Sequence, residues 1–341
     1  MRQMPGVKMS EVHAIGIAGR RRHAIAALAC LASIIAPASL LASEGKARVV
    51  KVTVLSTMLA DTQGIGEWGF AALVEVNGYR LLFDTGAREE TVLRNAEELK
   101  VDLTDVTDVV LSHNHADHTG GLLTLRRALR SRNPSALSRA HVATGIFLPR
   151  REGGGDSTSN RMPAVRDAYE ATGARMLEHA KVEQLAPGVW LTGPVARRYP
   201  ERNWGKGARL VTPDGTVDDT IPEDQSLVVD TGGGLVVITG CGHAGIGNIL
   251  AKAREMVPEV PVRAVVGGLH LLEADEKSLT WTAERMREAG VRYLLGAHCT
   301  GLEAVYRLRV LLGLDRATAV VGAVGSSYSS AAGLDPRWLA R

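Results

Sequence analysis

Aromatic side chains are scarce in this 341-residue chain, with 3 Phe, 6 Tyr and 5 Trp making up 4% of it. Proteins that hold single-stranded nucleic acid need rows of stacking rings, and so few argue against such a surface. An excess of one charge is also missing. Lys and Arg number 40 against 37 Asp and Glu, a formal net charge of +3, far from the basic stripe of a nucleic-acid binder. No nucleic-acid partner is expected; a small-molecule substrate is. No Gly-x-Ser-x-Gly elbow precedes a helix, which disfavours serine catalysis. The chain is read as having no Gly-x-Gly-x-x-Gly in strand-to-helix context that would suggest a dinucleotide, and no residue is assigned to an organic cofactor. The length still allows one large domain or two small ones, with a full core.

The N-terminus carries a separate message. Arg20-Arg21-Arg22 precedes an uncharged stretch from Ala24 to Ser43, rich in Ala, Leu and Ile. Basic patch, apolar centre and small residues around Ala36-Pro37-Ala38 or Leu40-Leu41-Ala42 match a cleavable export signal over residues 1–43. The expected location is therefore periplasmic or secreted, with a membrane role only if the segment stays attached as an anchor. Cys30 lies inside the apolar stretch, without the polar sequence after it that a lipid-attachment site would have. Outside that stretch only Cys241 and Cys299 remain, each beside a histidine. They could form one disulfide or sit at the edge of a metal site.

From residue 49 strands and helices alternate, and one domain is expected over 49–330. Val49–Leu55, Phe70–Val76 and Arg80–Phe83 read as strands, the last two joined at Asn77-Gly78, a dipeptide suited to a tight hairpin. A helix follows over Glu89–Lys100, then a strand over Val106–Leu111 and a helix from Leu122. Residues 126–166 read as helix plus loop, their arginines a solvated face from which no substrate-binding residue can be picked. Later strands fall at Val189–Thr192, Ser226–Asp230, Leu235–Thr239, Val262–Val266 and Tyr293–Leu295, with helices at Gly247–Met256, Ser278–Ala289 and Leu302–Leu312. The pattern predicts a mixed α/β class with two sheets face to face and helices outside.

What is abundant is metal-binding chemistry at one point. Residues 113–118 read His-Asn-His-Ala-Asp-His, four possible ligands within six residues, placed where a strand gives way to a loop. There, alternate side chains can converge instead of flanking a sheet. Imidazoles suit zinc, manganese or iron, and the neighbouring carboxylate suits a second ion or a water. His243, His270 and His298 each stand just past a predicted strand, among glycines that allow close backbone approach. His141 and His179 lack such surroundings and read as surface residues.

These motifs resemble the metallo-β-lactamase superfamily, whose His-x-His-x-Asp-His signature is intact at 113–118. One branch is most similar, the dihydropterin ribofuranosyl-aminobenzene phosphate synthase-like metal-dependent hydrolases. The likeness lies in Leu82-Phe83-Asp84-Thr85-Gly86, Glu223-Asp224-Gln225-Ser226-Leu227, Thr239-Gly240-Cys241-Gly242-His243, Gly267-Gly268-Leu269-His270-Leu271 and His298-Cys299-Thr300-Gly301. The resemblance implies a four-layer αβ/βα sandwich with a metal centre of one or two ions along one edge, zinc first, manganese or iron as alternatives. It implies His113 and His115 at the first metal, Asp117 and His118 at the second, and His243 and His298 completing the two. His270 would be a ligand or proton donor, and Asp84 a brace for the histidine loop. Two departures stand out. Gly240-Cys241 sits where most of these hydrolases have Gly-Asp, so Cys241 either ligates or packs, and Trp68 sits where the branch has histidine.

The expected activity is hydrolysis of a small ester, lactone, amide or phosphoester by a metal-activated water, with Asp117 orienting the water and His270 nearby. The alternatives are a metal-dependent transferase or synthase acting on a phosphoribosyl-type substrate, and a non-catalytic metal-binding protein.

Overall fold

The structure, a computed structural model, describes residues 49–151, 157–205 and 207–338. The export segment expected at 1–43, with Cys30, lies outside the described residues.

Strand formation follows alternating burial. Val50, Val52 and Val54 of β1 (Val50–Ser56), Val74 of β2 (Ala71–Val76), and Leu81 and Phe83 of β3 (Tyr79–Phe83) face one core. Ala71, Leu73 and Leu82, one residue out of phase, face another. Asn77 and Gly78 both have positive φ, 50° and 88°, which gives the hairpin the right-handed strand twist.

The chain continues through α1 (Thr91–Glu98), β4 (Asp108–Val110), α2 (Ala116–Thr119), α3 (Leu122–Arg130), β5 (Arg139–Ala143), β6 (Arg150–Arg151), α4 (Met162–Glu170) and β7 (Arg175–His179). Next come β8 (Glu183–Ala186), β9 (Val189–Leu191), β10 (Arg209–Thr212), β11 (Gly215–Asp218), β12 (Leu227–Asp230), β13 (Leu235–Thr239) and α5 (Ile246–Met256). The last elements are β14 (Val262–Gly267), α6 (Glu276–Ala289), β15 (Tyr293–Gly296), α7 (Leu302–Leu312), β16 (Ala319–Val321), β17 (Ser327–Ser329) and β18 (Gly333–Asp335).

One sheet has the order β18-β17-β1-β2-β3-β4-β5-β7, the other β16-β15-β14-β13-β12-β9-β8, and β11-β10-β6 form a small ribbon. A shared core of β-branched residues, among them Val52, Val74, Val229, Ile238 and Val266, fills the space between the two large sheets. A second core holds Val92 of α1, Leu125 of α3 and Val165 of α4 against the outer face of the first sheet. A third holds Ile249 of α5, Met286 of α6 and Leu308 of α7 against the second. The result is the four-layer αβ/βα arrangement expected from the sequence, with helices supplied by crossovers between parallel neighbours such as β13-β14-β15. Parallel strands end on a common edge, and β4, β13, β14 and β15 each release a histidine-bearing loop there.

The reading of residues 126–166 as helix plus loop requires correction. The helix stops at Arg130, and β5 enters the first sheet between β4 and β7. Arg139-Ala-His-Val-Ala143 has only one β-branched residue, so its strand state comes from partners on both sides and not from propensity. Nor are the arginines simply a solvated face. Arg126 is buried and donates to the Pro134 and Ala136 carbonyls, while buried Arg150 pairs with Asp219 (2.8 Å) and Glu223 (2.6 Å). His141 is likewise buried and not at the surface. It is bonded to Asp108 (2.9 Å) and to the half-buried His179 (3.0 Å) across neighbouring strands.

Candidate metal centre

The histidine loop is gripped by the turn that ends β3. Asp84, at φ 58°, is fully buried. Its carboxylate accepts from Ser112 N (2.7 Å), Ser112 Oγ (2.8 Å) and His118 Nδ1 (2.7 Å). Thr85 N donates to His118 O at 2.8 Å, and Gly120 N to Gly86 O at 2.9 Å. A Cβ at Gly120 would lie 1.9 Å from Ala87 O, so only glycine lets these two backbone segments meet.

These bonds determine which ring nitrogens are free. Ser112 Oγ gives its proton to Asp84, so it accepts from His113 Nδ1 (2.9 Å), and His113 Nε2 is left with a bare lone pair. His118 gives Nδ1–H to Asp84 and turns Nε2 toward Cys241 Sγ at 3.1 Å. His243 gives Nδ1–H to the carbonyl of Asn203. The Nε2 atoms of His113 and His243 are buried with no hydrogen-bond partner, a costly arrangement unless a Lewis acid accepts the lone pairs.

The side chains fall into groups whose ligand atoms lie within 4.8 Å of one another: His113, His115 and His243; Asp117, His118, Cys241 and His298; and Cys241, His243 and His270. All the residues proposed from sequence as ligands therefore meet at one edge, and Cys241 and His243 each belong to two groups. Asp117 Oδ2 stands 3.2 Å from His298 Nε2 and 3.8 Å from His118 Nε2. Cys241 and Cys299 are both buried free thiols with Sγ atoms 3.3 Å apart, so in this structure they form no disulfide.

The electrostatics around His113, His115 and His243 suit cation binding. Burial, reinforced by neighbouring imidazoles, holds His113 and His243 well below the usual histidine range, and burial brings His115 to about 4. All three are neutral at pH 7, as ligation requires. Burial opposes ionisation of Asp117, yet its hydrogen bond to His298 and the surrounding imidazoles bring the carboxyl well below its ordinary range. His118 is raised to about 9: burial opposes the charge, but Asp84 outweighs it.

Several residues at this edge were not singled out from sequence. Ser112 orients His113, Asn203 orients His243, and Thr57 Oγ1 accepts from His298 N at 3.0 Å. Ser112 had a visible signal, its adjacency to His113; Asn203 and Thr57 had none. The expected absence of a Gly-x-Gly-x-x-Gly between a strand and a helix requires correction, since Gly240-Cys-Gly-His-Ala-Gly245 has that spacing between β13 and α5. Nucleotide phosphates bind such turns at the helix N-terminus, but here Glu201 occupies that place. Its carboxylate accepts from Gly247 N (3.1 Å) and Asn248 N (3.0 Å).

Fold and site together define a metallo-β-lactamase-type protein. A sequence profile for the metallo-beta-lactamase superfamily matches residues 69–152 of this chain. It is similar to the 7,8-dihydropterin-6-methyl-4-(beta-D-ribofuranosyl)-aminobenzene-5'-phosphate synthase of Methanocaldococcus jannaschii. The two are 28% identical over 243 residues, 69% of this chain and 82% of the relative. A crystal structure of a metal-dependent hydrolase of the beta-lactamase superfamily superposes with a TM-score of 0.62 at 28% identity, covering 77% of this chain and 93% of that one. Zinc-bound PqqB from Methylobacterium extorquens shares the fold alone, with 12% identity and a TM-score of 0.50 over 81% of this chain and 99% of that one.

Proposed function

We propose that this chain is an exported, zinc-dependent hydrolase of a small ester, lactone, amide or phosphoester. The observation that carries the reading is the convergence of His113, His115, His243, Asp117, His118, Cys241 and His298, with two buried Nε2 lone pairs that no protein group meets. His113, His115 and His243 would hold one ion, and Asp117, His118, Cys241 and His298 a second. Bound zinc would supply Lewis acidity, lowering the pKa of water toward ~7 and polarising the substrate oxygen. Asp84, Ser112 and Asn203 hold the Nδ1 atoms of His118, His113 and His243, which turns the Nε2 atoms of those three rings toward the cluster. Asp117, ionised at neutral pH, accepts a hydrogen bond from the attacking water and orients it. His270 is partly exposed at the edge of the cluster with Nδ1 unpartnered; burial opposes its charge, but Cys299 and then Asp224 and Asp117 raise its pKa. In this reading His270 would give a proton to the leaving group.

A second reading is a transferase or synthase acting on a phosphoribosyl-type substrate. It is supported by the name of the Methanocaldococcus relative. Purified protein is assayed for metal content and against esters, lactones, amides, phosphodiesters and β-lactams, beside His115→Ala. Chelator-sensitive hydrolysis lost in His115→Ala is expected. Activity that survives both treatments overturns the proposal, and turnover only with a phosphoribosyl donor plus an acceptor moves the assignment to the synthase. For export, N-terminal sequencing of the mature protein is expected to begin after residue 36.

A further inference from the structure

Trp68 stands against the candidate metal centre without belonging to it. Its indole lies 4.8 Å, centroid to centroid, from the His298 imidazole at 59° between planes, yet 49% of the residue is exposed. The backbone on both sides is tied down. The buried Glu67 carboxylate accepts from Ser56 Oγ (2.7 Å), Ala87 N (3.0 Å) and Arg88 N (3.0 Å). Phe70 N donates to the carbonyl of Asp117 at 3.1 Å, and a Cβ at Gly69 would lie 2.9 Å from that same oxygen. The backbone next to the indole is thus held to Asp117, and the ring itself meets His298. In the segment that follows His298, Leu302 is exposed at 44%, and Leu272, bonded to that segment, at 57%. Leu272 N donates to Cys299 O at 3.2 Å, and a Cβ at the intervening Gly301 would meet Leu272 Cδ1 at 2.8 Å. Large apolar groups held rigidly open beside polar chemistry are characteristic of ligand sites, where a few polar groups orient what apolar surface binds.

We infer that Trp68 forms an apolar subsite beside His298 that receives a flat aromatic group of the substrate. The inference rests on the hydrolase reading above and narrows its substrate class to esters, amides or phosphoesters with a ring next to the bond cleaved. An offset or edge-on ring against the indole gains both area burial and quadrupole attraction, which a methyl group in the same place cannot match.

The test is calorimetric titration of the metal-loaded full chain with phenylphosphonate and methylphosphonate, for wild type, Trp68→Ala and Trp68→Phe, with metal content measured for each. Wild type is expected to bind the phenyl compound about tenfold more tightly. Trp68→Ala is expected to bring that ratio near one and Trp68→Phe to retain most of it. In steady-state assays the Ala variant raises KM for aryl esters with kcat little changed. Equal affinities in wild type, a ratio unchanged in Trp68→Ala, or binding of neither phosphonate overturns the subsite. A ring preference that depends on Trp68, in a protein that turns over none of the hydrolase substrates, supports the subsite and overturns the hydrolase reading instead.

Discussion

The carboxylate of Asp84 accepts the Nδ1 proton of His118 at 2.7 Å, and both side chains are fully excluded from solvent. The same carboxylate takes the backbone and hydroxyl protons of Ser112, so one buried anion orients two histidines of the cluster, His118 directly and His113 through Ser112. Replacing it with an amide turns an N–H toward the Nδ1–H of His118 or the hydroxyl of Ser112. Asp84→Asn is expected to weaken metal binding by about 10- to 100-fold. Competition titration against a chelating indicator measures this, and affinity within twofold of wild type would remove Asp84 from its bracing role.

The ligand groups containing His243 and His298 can be separated by stoichiometry. His243 groups with His113 and His115, and His298 with Asp117, His118 and Cys241. His243→Ala and His298→Ala are each expected to lose roughly one equivalent of zinc, because a tetrahedral site short of one ligand binds far more weakly. Elemental analysis after gel filtration reads the result. Loss of all metal in both variants would indicate a single shared site.

Gly240 abuts the same brace. A Cβ there would fall 2.1 Å from Ser112 Oγ and 2.5 Å from Asp84 Oδ2, whereas one at the exposed Gly233 meets nothing closer than Thr231 Oγ1 at 3.9 Å. Gly240→Ala is expected to destabilise the fold by about 1–3 kcal/mol through overpacking. Gly233→Ala is expected to stay within about 0.5 kcal/mol of wild type. Urea denaturation of both variants checks the contrast.

Glu201 gives stability a pH dependence outside the ligand set. Burial pushes its carboxyl up to about 7, although N–H donors from Gly247 and Asn248 oppose the shift. The folded chain therefore holds this proton more tightly than the unfolded chain does. Its contribution is fully present below the ordinary carboxyl range, near 4.5, and is lost as pH rises toward 7. Glu201→Gln, which cannot ionise, is expected to show a smaller fall in denaturation midpoint between pH 5 and pH 8 than wild type. An identical fall in both would show that the group does not titrate in this range.

The strands that were legible in sequence are those with strong alternation or continuous β-branched runs. Leu235–Thr239 and the helix Leu302–Leu312 match their expected bounds, and the first strands are displaced by a residue or so. The strands that were missed, β5 and β7 among them, have weak patterns of their own and are held by neighbours on the sheet. His141 shows the same limit. Its local sequence resembles a surface segment, and it is buried because Asp108, 33 residues earlier in the chain, lies within hydrogen-bonding reach on the adjoining strand.

The sequence by itself determined which residues could hold a metal. Four potential ligands within six residues at a strand end, and three more histidines at glycine-flanked strand ends, read as a metal site whatever the details of packing. Tertiary structure alone decided how those ligands are grouped, which ring nitrogen each offers, that Cys241 and Cys299 are free thiols in contact, and that Glu201 fills the anion position at α5. The physical reason is that a tautomer or a ligand group depends on hydrogen bonds and approach distances between residues far apart in the chain. His118 meets Cys241 across 123 residues and His243 meets Asn203 across 40, and strand order brings each pair together.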